Sequence, residues 1–242
     1  MAVILLIVIV FVVVLIARRD DPMVKTLGKG KTAEQINALR YFYNKGCLAK
    51  KISDDEYASM VREHCNSLNL RQRGIGKTGI DEEEIQEISP ITFDGYTYDN
   101  TPQPQHVKEK INGGWASSNY QVTWLFFSAT QIYIYMFTFS MTDNKTIEHT
   151  EEFFYKDVTS IATDVDTINI KMQPVQKGCL SSGKTKRKGK NGNADQYVDV
   201  TTNRLKFVVP GEKMYVSIES LDNRDIQGTV QGLKQKLREK KM

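Results

Sequence analysis

The sequence predicts an α+β chain. It has an N-terminal transmembrane helix, a short helical hairpin, and an antiparallel β-structure capped by a C-terminal amphipathic helix. Three observations carry this reading. Residues 2–17, AVILLIVIVFVVVLIA, hold no polar side chain and stop abruptly at Arg18, Arg19, Asp20, Asp21 and Pro22. Apolar residues recur at helical spacing over 32–70 and at a period of two from Ile91 onward. Helical spacing returns at Ile226, Val230, Leu233 and Leu237, with Lys and Arg on the opposite face.

The apolar run reads as an uncleaved membrane anchor, residues 1–17. Sixteen helical residues cover about 24 Å, and the stems of Arg18 and Arg19 supply the missing reach to a hydrocarbon core of about 30 Å by snorkelling at the membrane boundary. Val3 through Ile16 are all Val, Ile, Leu or Phe. Insertion of such a run is favourable by about 4–8 kcal/mol as an upper bound. A cleaved signal peptide carries basic residues before the run and small residues after it; here the cations follow and no such site is present. Arg18, Arg19, Lys25, Lys29 and Lys31 lie just after the run and none precedes it, which predicts a cytoplasmic body with the N-terminus outside. Three unpatterned cysteines, Cys47, Cys65 and Cys179, suit a reducing compartment.

After a juxtamembrane linker (18–31, broken by Pro22, Gly28 and Gly30) comes the hairpin, 32–70. Thr32-Ala33-Glu34-Gln35 is a capping box, followed by Ile36, Leu39, Phe42 and Tyr43 on one face. Ser53-Asp54-Asp55-Glu56 is a second box, with Tyr57, Met60, Val61, His64 and Leu68 behind it. Residues 71–90 are rich in Gly and charge and read as a second linker, with one helical turn at Asp81–Glu87.

From 91 to 242 the expected elements are strands near 91–98, 122–128, 131–141, 146–155, 158–162, 167–175, 197–201, 204–209 and 214–218, then the helix. Tyr133, Tyr135, Phe137 and Phe139 share one strand face. Pro210-Gly211 has the type II turn signature.

Two resemblances follow. Ala38 to Gly46 and Ile52 to Tyr57 resemble the short SHOCT-type helical domain of bacterial proteins, which implies protein contacts and no chemistry. Trp124-Leu125-Phe126-Phe127 with Gln131 to Tyr135, and Phe154-Tyr155-Lys156-Asp157-Val158-Thr159-Ser160-Ile161, resemble strands of bacterial pleckstrin-homology-like (PH-like) domains. This second resemblance spans 91–241 and implies a PH-like barrel closed by the last helix.

No motif supplies a catalytic centre, a cofactor or a metal. Gly178-Cys179-Leu180-Ser181-Ser182-Gly183-Lys184-Thr185 matches the P-loop pattern, but the following Lys186 to Asn193 contains no apolar residue with which a helix could dock, so the match reads as accidental. His64, His106 and His149 stand in unlike contexts without metal-ligand spacing. Lys184, Lys186, Arg187, Lys188 and Lys190 form a basic run in a Gly-rich insertion, the candidate contact for anionic lipid. Aromatic residues are not interleaved with it and the net charge is only +4, so no nucleic-acid partner is expected. The expected function is a single-pass, membrane-anchored, non-enzymatic binding or scaffold protein. Its partners are the lipid bilayer and a cytoplasmic protein; the alternatives are a binder of anionic lipid through 184–190 and a tethered enzyme of unrecognised type.

Overall fold

The computed structural model describes residues 20–44, 49–87, 89–99, 101–172, 196–218 and 225–241. The order is α1 (Pro22–Leu27), α2 (Ala33–Tyr43), α3 (Asp54–Ser67), α4 (Leu70–Thr78), α5 (Glu82–Glu87), β1 (Ile91–Tyr96), β2 (Val107–Glu109), β3 (Trp115–Ser117), β4 (Asn119–Phe127), β5 (Gln131–Ser140), β6 (Thr146–Phe154), β7 (Ser160–Met172), β8 (Gln196–Val209), β9 (Glu212–Ser217) and α6 (Ile226–Lys241). The chain is α+β. One antiparallel sheet runs β1-β4-β5-β6, a second β7-β8-β9, and β2-β3 is a separate hairpin.

Both capping boxes form. Thr32 Oγ1 accepts from Gln35 N at 3.2 Å while Gln35 Oε1 accepts from Thr32 N at 3.1 Å. Ser53 and Glu56 repeat the exchange at 3.1 and 2.8 Å. Each box satisfies helix-end donors that would otherwise lack partners.

The helices do not keep their apolar seam to themselves. Leu39, Phe42, Tyr57 and Val61 join one core with Tyr120, Val122, Phe126, Tyr135, Phe137 and Phe139 from one face of the four-stranded sheet. Tyr57 is fully buried, and its hydroxyl donates to the Ser117 carbonyl at 2.8 Å. The other sheet face supplies Phe93, Leu125, Phe127, Ile132 and Ile134 to a second core, shared with Leu205, Phe207, Met214 and Val216 and with Val230, Leu233 and Leu237 of α6. Burial on both sides explains why Trp124-Leu125-Phe126-Phe127 is a continuous apolar run rather than an alternating one.

The structure departs from the sequence expectation at the β2-β3 hairpin, where no strand was expected, and in three further places. Pro22–Leu27, inside the expected juxtamembrane linker, is helical, with Asp21 Oδ1 accepting from Met23 N at 2.8 Å. Leu70–Thr78, running from the end of the expected hairpin into the expected 71–90 linker, is also a helix. Its Gly74 lies so close to the sheet that an added Cβ would sit 2.9 Å from Tyr135 Cδ1 and 3.0 Å from Phe126 Cε2. Glycine there permits close packing rather than marking a break. Finally, the four short strands expected across 158–175 and 197–209 are two long ones. Asp164 and Asp166 lie in the gap expected between strands but bond diagonally to β8, Asp164 with Lys206 at 2.8 Å and Asp166 with Arg204.

No helix among the described residues is long and apolar enough to cross a membrane. The expected anchor (1–17) with Arg18 and Arg19 lies outside the described residues.

Candidate binding cleft

At the end of β4 and β5 remote from α6, the inner face of the four-stranded sheet turns polar. Gln121, Thr138, Ile147 and His149 form one wall of a cleft of about 270 Å³, and Arg204 and β9 form the other. α6 sits over the opposite end, where Lys236 Nζ lies 5.2 Å from the Phe127 ring.

β9 lines the cleft through consecutive residues, Glu212, Lys213, Met214 and Tyr215. Neighbouring side chains of a strand point to opposite faces, so a wall made of consecutive residues is the strand's edge. The register says which backbone groups that edge offers. Val209 pairs with Glu212 across the two-residue Pro210-Gly211 turn, where Gly211 has φ +88°. At the far end Ile218 N donates to Asn203 O. In an antiparallel ladder bonded and non-bonded pairs alternate, which makes Glu212, Met214 and Val216 the residues bonded to β8. Lys213, Tyr215 and Ser217 therefore turn their N–H and C=O groups outward. Ser217 shows the consequence: its N–H donates to Gln121 Oε1 at 2.8 Å. The outward groups of Lys213 and Tyr215 face the cleft, with no backbone partner among the described residues.

Arg204 anchors the other part of this wall. It is only 8% exposed, its guanidinium lies 4.5 Å from the Tyr215 ring centroid, and its two terminal nitrogens bond Asp99 and Asp166. Two partly exposed carboxylates thus neutralise a buried cation, while its Nε finds no acceptor among the described residues.

The histidines go to separate places. His64 Nδ1 is 3.1 Å from Glu34 Oε1, and His149 Nε2 is 2.7 Å from Glu151 Oε1. His106 is buried with Nδ1 2.7 Å from the Tyr43 hydroxyl. Burial, aided by the charge of Lys31, lowers its proton affinity to a pKa of about 4. Among the described residues no cluster of His, Cys, Asp and Glu has the makings of a metal site. The basic run Lys184, Lys186, Arg187, Lys188 and Lys190, and the P-loop match before it, fall outside the described residues.

Sequence reading missed Arg204 and the β9 edge. One signal was available: Asp164 and Asp166 on one strand, and Arg204 and Lys206 on another, repeat at a period of two, as cross-strand charge partners do. The edge left no such trace, because outward N–H groups belong to every residue type except proline. The chain matches no family model, no curated protein and no solved structure.

Proposed function

We propose that the chain is a single-pass membrane protein whose body, on the cytoplasmic side, binds a protein partner by accepting an extended segment along the edge of β9. The observation that carries the reading is the outward backbone of Lys213 and Tyr215 beside a cleft of about 270 Å³. Backbone pairing supplies affinity in such strand addition, and pockets for alternate side chains supply specificity. Gln121, which already bonds the outward N–H of Ser217, marks where the added strand would begin. The anchor and its orientation rest on residues 2–17 and the cations after them. The PH-like reading of 91–242 is supported by the strand order, a four-stranded antiparallel sheet, then three strands, then a helix, with β2-β3 inserted after the first strand. The reading is non-enzymatic; lipid binding by 184–190 is the rival.

The test uses Lys213→Pro. Proline removes an N–H that β8 does not use, so the hairpin survives while the edge loses a donor. Extended peptides selected against the full chain should protect the Lys213 and Tyr215 amides from exchange and should bind the Pro variant at least tenfold more weakly. Peptides that bind the variant equally and protect other amides would defeat the proposal.

A further inference from the structure

We propose that the tip of the β2-β3 hairpin is a second membrane contact, with Ile111 entering the lipid interface beside the anchor. This rests on the reading of residues 2–17 as a membrane span. Ile111 is 86% exposed, more than any other large hydrophobic side chain among the described residues. A single exposed apolar side chain means little by itself. Its position is what matters.

The tip is held in place. Ile111 N donates to Asp54 Oδ2 at 2.8 Å, and Asp54 Oδ1 accepts from the Tyr41 hydroxyl at 2.9 Å. Lys108 Nζ lies 3.8 Å from the Tyr41 ring centroid and 3.7 Å from Asp54. The hairpin is thereby fixed to the last turn of α2 and the first turn of α3.

The chain enters the body at the same end. Asp20 receives two hydrogen bonds from Arg40, both 2.8 Å, and one from Asn44 at 3.1 Å. The Asp21 N–H donates to Asn44 Oδ1 at 3.0 Å. Arg40 and Tyr41 are sequence neighbours, so residue 20 and the hairpin tip are tied to the same turn of one helix. From there α1 leads away and α2 returns. Only Arg18 and Arg19 separate Asp20 from the end of the apolar run, a reach of about 11 Å at full extension. A folded body gripped this close to its anchor keeps this end against the bilayer, and Ile111 meets that surface at high effective concentration.

The side chains fit the place. Trp115 is half-buried opposite Glu109 in the ladder rung next to the tip, and an indole suits the headgroup region. Asp20 and Asp54 are paired with Arg40 and Lys108, which limits their repulsion from an anionic surface. The contact is apolar, so it should persist in zwitterionic vesicles and at high salt, unlike attraction through the 184–190 cations.

The test is made on the full chain in phosphatidylcholine vesicles, with Cys47, Cys65 and Cys179 changed to Ala and one cysteine placed by Ile111→Cys or, at the opposite end of α2, Glu34→Cys. An environment-sensitive fluorophore at 111 should shift to the blue and be quenched by nitroxide-labelled lipid several-fold more than at 34. Hydroxyl-radical oxidation of the unaltered chain gives the same answer without substitutions: Ile111 should be protected relative to Val165, which is 69% exposed. Flotation in alkaline carbonate reports on the anchor separately. A chain that floats with position 111 no more quenched than 34 and Ile111 unprotected overturns the hairpin contact alone. A chain that does not float overturns the anchor and the contact together.

Discussion

Tyr57 tests whether the helical hairpin and the sheet are one cooperative unit. Its ring stacks on Tyr41 at 4.1 Å with 4° between planes, meets Phe42 edge-on at 5.3 Å, and faces Tyr96 of β1 at 6.2 Å. Its hydroxyl reaches the Ser117 carbonyl, which is turned away from β2 because His106 O and Ser118 N form the neighbouring bonded pair. Tyr57→Phe keeps the ring and deletes the donor, leaving a buried carbonyl unpaired at a cost of about 1–3 kcal/mol. Tyr57→Ala also removes the ring from between α2, α3 and β1, and large aromatic truncations in a core cost about 3–5 kcal/mol. The assay is urea unfolding of the full chain in detergent followed by circular dichroism, with amide exchange read separately over α3 and over β4-β5. One transition should move in both variants, and exchange should rise in both regions together. The reasoning is refuted if Tyr57→Phe costs less than about 0.5 kcal/mol. It is refuted equally if Tyr57→Ala frees the α3 amides while those of β4 and β5 keep their protection.

Other expectations follow from single sites. Gly74→Ala should destabilise by up to about 1–3 kcal/mol, because its Cβ meets Phe126 and Tyr135 rings that are fixed in the core. Gly76→Ala in the same helix meets nothing within 4 Å and should stabilise by about 0.4–1 kcal/mol; equal effects in thermal melts would contradict the close approach of α4. Leu233→Ala, at a fully buried position, should cost about 2–5 kcal/mol, whereas an unchanged melt would make α6 a free tail. Acid should weaken the fold in two overlapping steps. Burial holds His106 at about 4 against an ordinary 6.5, so the unfolded chain takes up this proton first and stability falls as pH drops through that interval. Bonding chiefly from Arg73 holds Glu148 at about 2 against 4.5, so its contribution is full above 4.5 and lost as pH falls toward 2. An NMR titration that finds His106 protonating near 6.5, or a Glu148→Gln variant with the parent's acid profile, would contradict these assignments.

The anchor proposal and the folded entry segment bear on each other. A flexible linker would let the body sample many orientations, but Asp20 and Asp21 are bonded to Arg40 and Asn44 within one helix length of the hairpin tip. With residues 1–17 in a bilayer, as proposed, orientation relative to it would be a property of the fold rather than of a linker. The same geometry leaves the β9 edge to be judged on its own, since its test reads backbone protection and not vesicle binding.

What the sequence by itself determined is what a residue settles with near neighbours in the chain. Thr32 with Gln35 and Ser53 with Glu56 close their boxes within one turn, and Pro210-Gly211 makes its turn within two residues. The faces carrying Tyr135, Phe137 and Phe139, and Val230, Leu233 and Leu237, follow from periodicity alone. Tertiary structure decided which surface covers which. Ile132 and Ile134 alternate with Tyr133 and Tyr135, so no solvent face was written into β5. Yet only the fold shows that α2, α3 and α4, with Ile170, Val198 and Val200, share one core while Leu205 and Phe207 of β8, β9 and α6 share the other. Gly74, inside the expected 71–90 linker, and Asp166, between the strands expected at 158–162 and 167–175, depend on the same information. A glycine that admits an aromatic ring looks like one in a linker, and an aspartate bonded diagonally to an arginine across a ladder looks like a break. The β9 edge depends on a register fixed from afar, where Gln121 meets Ser217 from 96 residues away. Local patterns record the needs of a short segment. The partner that meets those needs is selected by shape and burial over the whole chain.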